Sequence, residues 1–298
     1  MTPDWTLLRS FLTVAEAGSL SAAARVLHLT QPTLGRHIAE LEAQLGTQLF
    51  TRSPQGLTPT ETALALLPPA RQMREAAARL SLAAAGRQES LQGTVRLTAS
   101  RVVSHHILPP MLARLRQQEP GIEIELVPSD TPENLLFREA DIALRMFRPT
   151  QEDVVTRHLA DLPMGLYAAK TYLDRRGRPQ SPEDMAAHDL IGMDRSDLVQ
   201  RMLDFLKIPL KRGDFPVRCD DQLVYLNLMR AGLGIGGALR LIGDADPLLE
   251  PIAFLNLPAL PVWLTAPEAL RQTPRIRRTL DHLAAEFLTL LDPGAPKG

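Results

Sequence analysis

Gln31, Thr33, Arg36 and His37 fall on one side of a short run, with Gly35 among them. These side chains form hydrogen bonds readily but make no catalytic set. A glutamine amide can pair with adenine through two bonds, and an arginine with guanine or a phosphate oxygen. The chemistry such a face supports is the reading of base edges and phosphates. Leu34, Ile38, Leu41 and Leu45 recur on the opposite side, which predicts a helix with one buried face. An Ala-rich helix followed by an amphipathic one also serves ordinary core packing, so periodicity alone leaves both readings open.

Flanking residues would hold that face in place. Thr30 stands at an N-cap position, Pro32 tolerates the first turn because its missing N–H would be unpaired there, and Gly46 is placed to end the helix. Upstream, Leu8, Phe11, Leu12 and Ala15 have helical spacing, and Gly18 stops that helix. Ser21 to Leu27 forms a second helix whose alanines allow close approach. Two short helices joined in this way make a helix-turn-helix. Thr47 to Arg52 reads as a strand, Ser53-Pro54-Gln55-Gly56 as a turn, and Leu57-Thr58 as the return, a β-wing that sets Arg52 near a phosphate.

Thr58-Pro59-Thr60-Glu61 reads as a capping box, so a long helix should start near Pro59 and kink at Pro68-Pro69. Met73, Ala77, Leu80 and Ala84 then form a coiled-coil-like seam, with Arg71, Arg74 and Arg79 outside it. A lone helix cannot bury such a stripe, so it needs a partner, either the rest of its own chain or a second copy. Gln92-Gly93 marks the next break. Beyond it, strand-like runs alternate with helical ones and predict α/β architecture. The strands are Thr94–Ala99, Ile122–Val127, Asp141–Met146, Met164–Ala169, Pro216–Cys219 and Val262–Thr265. Ile276, Leu280, Leu283, Phe287 and Leu290 make a closing helix.

Composition excludes several classes. Hydrophobic residues make up 45% and charged ones 22% of the 298 residues, and the formal net charge is −1. In residues 1–58, Arg9, Arg25, Arg36 and Arg52 stand against Asp4, Glu16, Glu40 and Glu42, so no basic footprint marks a nucleic-acid partner. The single cysteine, Cys219, can form neither an internal disulfide nor a cysteine-rich zinc site, and a reversible disulfide switch would want a second thiol. The opening Met1-Thr2-Pro3-Asp4-Trp5 has neither a basic n-region nor an apolar h-region, so a signal peptide is not expected, and no apolar run reaches the roughly 18 residues of a membrane span. A cytoplasmic protein is expected. Gly232–Gly237 lacks the strand–turn–helix context of a dinucleotide site, and adjacent His105 and His106 diverge by about 100° on a helix. With no nucleophile elbow, P-loop or metal-spaced set, neither an enzyme nor a cofactor or metal is expected.

The order of residues narrows the reading. Leu8 to Ala24, Leu29 to Ile38, Leu41-Glu42, Leu45-Gly46, Leu49 to Arg52 and Gly56 to Thr60 closely resemble the opening of LysR-type transcriptional regulators. Gly35 departs from the serine common there, Ala63 from a glycine, and Pro68-Pro69 from a single proline. The resemblance implies a winged helix-turn-helix over residues 1–58 and a linker/dimerisation helix over 59–89. It implies a two-lobed α/β effector domain over 91–298, with the fold of periplasmic solute-binding proteins. Lobe 1 would take 91–162 and 266–298, and lobe 2 would take 163–265.

Carried over by position, Gln31, Pro32, Thr33 and Arg36 would read the DNA groove and Arg52 would be the wing contact. Ser21 would cap the second helix and meet a phosphate. His37 reads as solvated helix face rather than a base contact. The expected partners are double-stranded promoter DNA, a small-molecule effector held between the lobes, and the chain itself as homodimer or homotetramer. Strand ends and helix N-termini face such clefts, which singles out Ser100 and Arg101 first, then Ser129, Met193 and Asp220. Arg101 and Arg145 among apolar neighbours favour a small organic anion. A binding protein with no DNA function is the competing reading, and the Gln31–Arg36 surface argues against it.

Overall fold

A computed structural model describes residues 4–53, 56–85, 90–130, 140–149, 154–206 and 208–291. They form two compact units, residues 1–82 and 83–298.

The first unit opens with α1 (Trp5–Ala17), α2 (Leu20–Leu27) and α3 (Gln31–Leu45). Each start is capped by a side chain that accepts a backbone N–H: Asp4 from Thr6, Ser19 from Ala22, and Thr30 from Thr33. Gly18 and Gly46 end α1 and α3 in the left-handed conformation, with φ of 68° and 67°. Phe11, Leu12, Leu34 and Leu41 are fully or almost fully buried between the helices, and Ala23 and Ala24 keep α2 close to both. The wing strands β1 (Phe50–Ser53) and β2 (Gly56–Pro59) pair antiparallel, with Thr51 opposite Thr58. Pro54 and Gln55 of the expected turn lie outside the described residues.

The long helix α4 (Glu61–Ala85) begins later than the capping box implied. Pro59 is the last residue of β2, paired with Phe50, and the ladder continues as Thr60 N–H donates to Leu49 O at 2.9 Å. Thr60, not Thr58, is the cap: its Oγ1 accepts from Ala63 N at 3.2 Å and donates to Gln48 O at 2.9 Å. The helix runs through Pro68 and Pro69. Ala63 and Ala70 bury against the first core, while Met73 and Leu80 of the expected seam are 43% and 76% exposed. The side chains of Arg79 and Ala84 lie outside the described residues. Arg74 donates two hydrogen bonds to Glu16 of α1, at 2.7 and 2.9 Å.

The second unit comprises β3 (Gly93–Ala99), α5 (Arg101–His106), α6 (Leu108–Gln118), β4 (Ile122–Pro128), β5 (Ile142–Arg145), β6 (Val154–Ala169), α7 (Lys170–Arg176), β7 (Ile191–Gly192), α8 (Leu198–Leu206), β8 (Val217–Arg218), α9 (Gln222–Arg230), β9 (Gly236–Leu239), α10 (Arg240–Gly243), β10 (Leu249–Pro267) and α11 (Pro274–Leu291). Six strands form one sheet in the order β4-β3-β5-β10-β6-β9, and β7 and β8 form a separate parallel pair. β3 is parallel to β4 and β5, whereas β10 is antiparallel to both β5 and β6.

Two expected strands prove to be the ends of much longer ones. Met164–Ala169 closes β6, and Val262–Thr265 lies near the end of β10. The outer part of β10 pairs with β5, Thr265 opposite Ala143, while its opening part pairs with the end of β6, Leu249 opposite Ala169. The sheet thus joins a half built on β3–β5 to a half that carries β9, with the separate β7–β8 pair linked to that second half by the bridge between Leu190 and Ile235. In α11, Ile276, Leu283 and Phe287 are buried, but Leu290 at the helix end is exposed.

Glycine at position 234 is dictated by a close approach. A Cβ there would lie 2.3 Å from the carbonyl oxygen of Asp189, itself held at 2.9 Å by Ile235 N–H. Gly234→Ala should therefore lower stability by about 1–3 kcal/mol. Gly213→Ala, where nothing lies within 4 Å, should leave it almost unchanged. The urea midpoints of the two variants provide the comparison.

Candidate nucleic-acid interface and ligand cavity

α3 presents its polar side outward because its other side is core: Leu34 and Leu41 are fully buried and Ile38 nearly so. Gln31, Pro32 and Arg36 are exposed, and Thr33 is half-buried. Thr30 caps the first turn and shares a 2.8 Å hydrogen bond with the Thr33 hydroxyl. Ser21 does not cap α2; Ser19 does, accepting from Ala22 N at 3.2 Å. Ser21 instead donates to Gln31 Oε1 at 3.1 Å, holding the amide oxygen and leaving its NH2 group as a donor. His37 is not solvated helix face: it is half-buried, and its Nδ1 shares a 2.9 Å hydrogen bond with the buried Ser10 of α1. Glu42 accepts from Leu49 N and Phe50 N at 2.7 and 3.3 Å, setting where the wing departs. Arg52 sits in β1 opposite Leu57, with its side chain outside the described residues.

In the second unit a cavity of about 1170 Å³ lies between the two halves of the sheet. One end is built where three parallel strands finish: Ser100 follows β3, Ser129 and Asp130 follow β4, and Arg145 closes β5. Arg145 is 5% exposed and donates to Ser129 O at 3.2 Å and Thr98 Oγ1 at 3.1 Å. Ser100 occupies the position before α5 yet makes no capping bond, and its buried Oγ has no hydrogen-bond partner among the described residues. The remaining wall is largely apolar. It includes Met146, Met164, Met185, Met193, Met202 and Met229, so Met111 is the one methionine of this unit off the cavity. Tyr225 forms part of the floor: its hydroxyl donates to Ile191 O and accepts from Gly237 N, and burial pushes its pKa up to about 12.

Of the residues expected at the effector site, Ser100, Ser129 and Met193 line this cavity, and Arg101 and Asp220 do not. The Arg101 guanidinium turns to Asp221, the N-cap of α9, at 2.5 Å, and lies 3.9 Å from Asp130, so it joins the two halves beside the cavity. Asp220 accepts from the N–H groups of Asp194, Arg195 and Ser196 at 2.9 to 3.1 Å, a positioning role for the turn that carries Met193. The apolar wall was not foreseen. Its methionines belong to separate elements, and no local spacing marks them as one surface.

Two carboxyls beside the cavity, those of Asp221 and Asp220, sit below their ordinary range. For Asp221, the N–H of Val224 is the main cause, followed by the charge of Arg101, and together they outweigh burial. For Asp220, burial pushes upward but the N–H groups of Ser196, Arg195 and Asp194 prevail. A lowered folded-state pKa gives stability that is complete above about pH 4 and is lost as pH falls through the folded value. Asn can still cap a helix, so Asp221→Asn isolates the ion pair from the cap. That variant should be less stable than the parent at pH 7 by about 1 kcal/mol or less. Denaturant titrations at pH 7 and pH 3 should show the gap closing in acid.

Known proteins agree with this architecture. Residues 5–64 match the profile described as bacterial regulatory helix-turn-helix protein, lysR family, and residues 88–288 match the LysR substrate binding domain. The chain is 31% identical over 185 residues to the HTH-type transcriptional regulator CrgA of Neisseria meningitidis, a match that spans 62% of each protein. It is 30% identical over 291 residues to the Mau operon transcriptional activator of Paracoccus denitrificans, covering 97% of this chain and 98% of that one. The solved structure of CrgA superposes with a TM-score of 0.59 at 26% identity, covering 96% of this chain and 99% of that one. The chain belongs to the LysR family of DNA-binding transcriptional regulators, with a helix-turn-helix domain followed by a LysR substrate-binding domain.

Proposed function

We propose that α3 enters the major groove of promoter DNA, with Gln31, Pro32, Thr33 and Arg36 reading it and Arg52 of the wing meeting the backbone. The observation that carries this reading is the exposed Gln31–Arg36 face, held outward by the buried Leu34, Ile38 and Leu41. Ser21 acts here through Gln31, whose amide it orients. Because the chain is close to neutral overall, non-specific attraction to DNA is small and the named contacts carry most of the affinity. The exposed Met73 and Leu80 on α4 support self-association through that helix, as homodimer or homotetramer, which would supply two reading heads for a two-fold DNA site. The site of action is then the cytoplasm, where promoter DNA is found.

The cavity of the second unit is assigned to a small-molecule effector, with Ser100, Ser129 and Met193 in contact with it. The halves flanking the cavity correspond to the two lobes, which meet through β6 and β10. Ligand binding that changes how the halves meet would change DNA affinity, and linkage requires DNA to change ligand affinity by the same factor. No turnover is assigned to the protein; its family consists of regulators.

The test is an anisotropy titration against the DNA upstream of the chain's own gene and against a random duplex, each at two salt concentrations. Tighter binding to the first, weakening as salt rises, is expected. Arg36→Ala should cost about 1–3 kcal/mol of that affinity without changing the mass measured by light scattering. Unchanged affinity at physiological salt would remove Arg36 from the interface. Equal, weak binding to both duplexes would instead favour a ligand-binding protein without a DNA-reading role.

A further inference from the structure

We infer that the molecule held in the cavity of the second unit is an amphipath, with a long apolar body and a single end bearing an acceptor oxygen that the Ser100 hydroxyl engages. This rests on the assignment of the cavity as the effector site, and it replaces the small organic anion expected from Arg101 and Arg145.

Size is the first argument. Sites for drug-sized ligands run to about 300–1,000 Å³, and this cavity reaches about 1170 Å³. A short dicarboxylate would leave most of it unfilled. Water is a poor filler, because each molecule needs two to four polar partners and the wall beyond the strand ends offers few. Leu166, Val199, Leu203, Leu210, Phe215 and Phe254 complete what the methionines begin. Unbranched methionine side chains adapt to irregular apolar shapes better than leucine or valine, so six of them in one wall suit a body of variable contour.

Charge is the second argument. The charged side chains among the described residues of the wall are Asp130 and Glu183 against Arg145, Arg148 and Arg201, a mixture of signs rather than a cage for an anion. Arg101, the cation expected at the site, is engaged with Asp221 and Asp130 and is not on the wall. The third argument is a single unmet hydrogen bond. Among the described residues, the buried side-chain atoms without a partner include those of Ser100, Trp263, Thr265 and Thr273, and of these Ser100 alone lines the cavity. Ser100 is 7% exposed, and its hydroxyl does not cap α5. A buried hydroxyl left unpaired is costly, and an acceptor oxygen on a ligand would relieve it. That hydroxyl sits at the polar end of the cavity, where Ser129 N–H also donates to Ala99 O at 2.9 Å. The ligand's head therefore lies at the strand ends, and its body lies among the methionines.

The experiment is calorimetric titration of the full chain, without DNA, with straight-chain carboxylates from butyrate to dodecanoate, with methyl decanoate and with succinate. Affinity should rise roughly threefold to fourfold per added methylene until the cavity is full, and succinate should not bind at the concentration that saturates with decanoate. Methyl decanoate keeps the acceptor oxygen and loses the charge, and it should bind within about tenfold of decanoate. Ser100→Ala should weaken decanoate by roughly tenfold while leaving thermal stability unchanged or raised, because the orphan hydroxyl is gone. Met202→Trp, which narrows the cavity from α8, should truncate the series at a shorter chain.

A flat series, tighter binding of succinate, or no binding by any member at millimolar concentration would each overturn the inference. Loss of more than a hundredfold on esterification, or a Ser100→Ala variant with parental affinity, would overturn the role given to Ser100. Repeating the DNA titration with decanoate separates the two proposals: ligand binding with unaltered DNA affinity would leave the amphipath inference standing and remove the regulatory coupling.

Discussion

The second unit hangs on one ladder, β6 against β10. In its main sheet, β5 pairs beside Trp263–Thr265 and β9 beside Met164–Tyr167, and β3 and β4 follow through β5. The ladder is regular at both ends and shifts register between Ile252 and Leu257, between Leu257 and Leu260, and at Val262/Trp263. A β-ladder strongly resists bending where its hydrogen bonds are continuous and yields where bulges interrupt it. The irregular stretch is also where Leu255, Leu257 and Leu260 contribute to the cavity wall. The same segment thus connects the two halves and lines the space between them. The Arg101–Asp221 pair spans the gap at another point, from the start of α5 to the start of α9.

On the reading proposed for α3, the first unit faces a different problem, which is to meet a polyanion with a surface that carries almost no excess positive charge. Its answer is placement. Thr30, Ser21, Ser10 and Glu42 all spend hydrogen bonds on holding α3 or its exit: Thr30 on the first turn, Ser21 on Gln31, Ser10 on His37 and Glu42 on the wing. Side chains ordered before contact lose less conformational entropy on binding than free ones. On that reading, order at the α3 face would compensate for the missing electrostatic footprint.

Much of this was legible in the sequence because the rules involved are local. Caps at Thr30 and Gly46, the buried side of α3, the alanines of α2 and the first strands of the α/β unit each follow from neighbouring residues. Contacts between distant residues were not legible. His37 looked solvated because Ser10 is far from it in sequence, and Arg101 looked free because Asp221 lies 120 positions away. The start of α4 was misplaced for a related reason: Thr58 and Thr60 are equally good caps in isolation, and the wing ladder decides between them. Of the effector candidates, those directly after strand ends, Ser100, Ser129 and Met193, fell on the cavity. The methionine wall assembles only once separate elements have folded together.

The grip of Arg74 on Glu16 has a mechanical meaning. Both guanidinium N–H groups engage one carboxylate, and Ala63 and Ala70 bury into the same core that holds Phe11 and Leu34. Up to that point α4 is geared to α1, and α1 to α3, with little slack among them. On the proposed reading, a twist applied to the long helix would be delivered to α3 as rotation about the same frame. In the proposed dimer on one duplex, a few degrees of twist would become a change of phase relative to the helical repeat of DNA, so the pair would come into or fall out of step without any of the proposed reading residues changing its own surroundings.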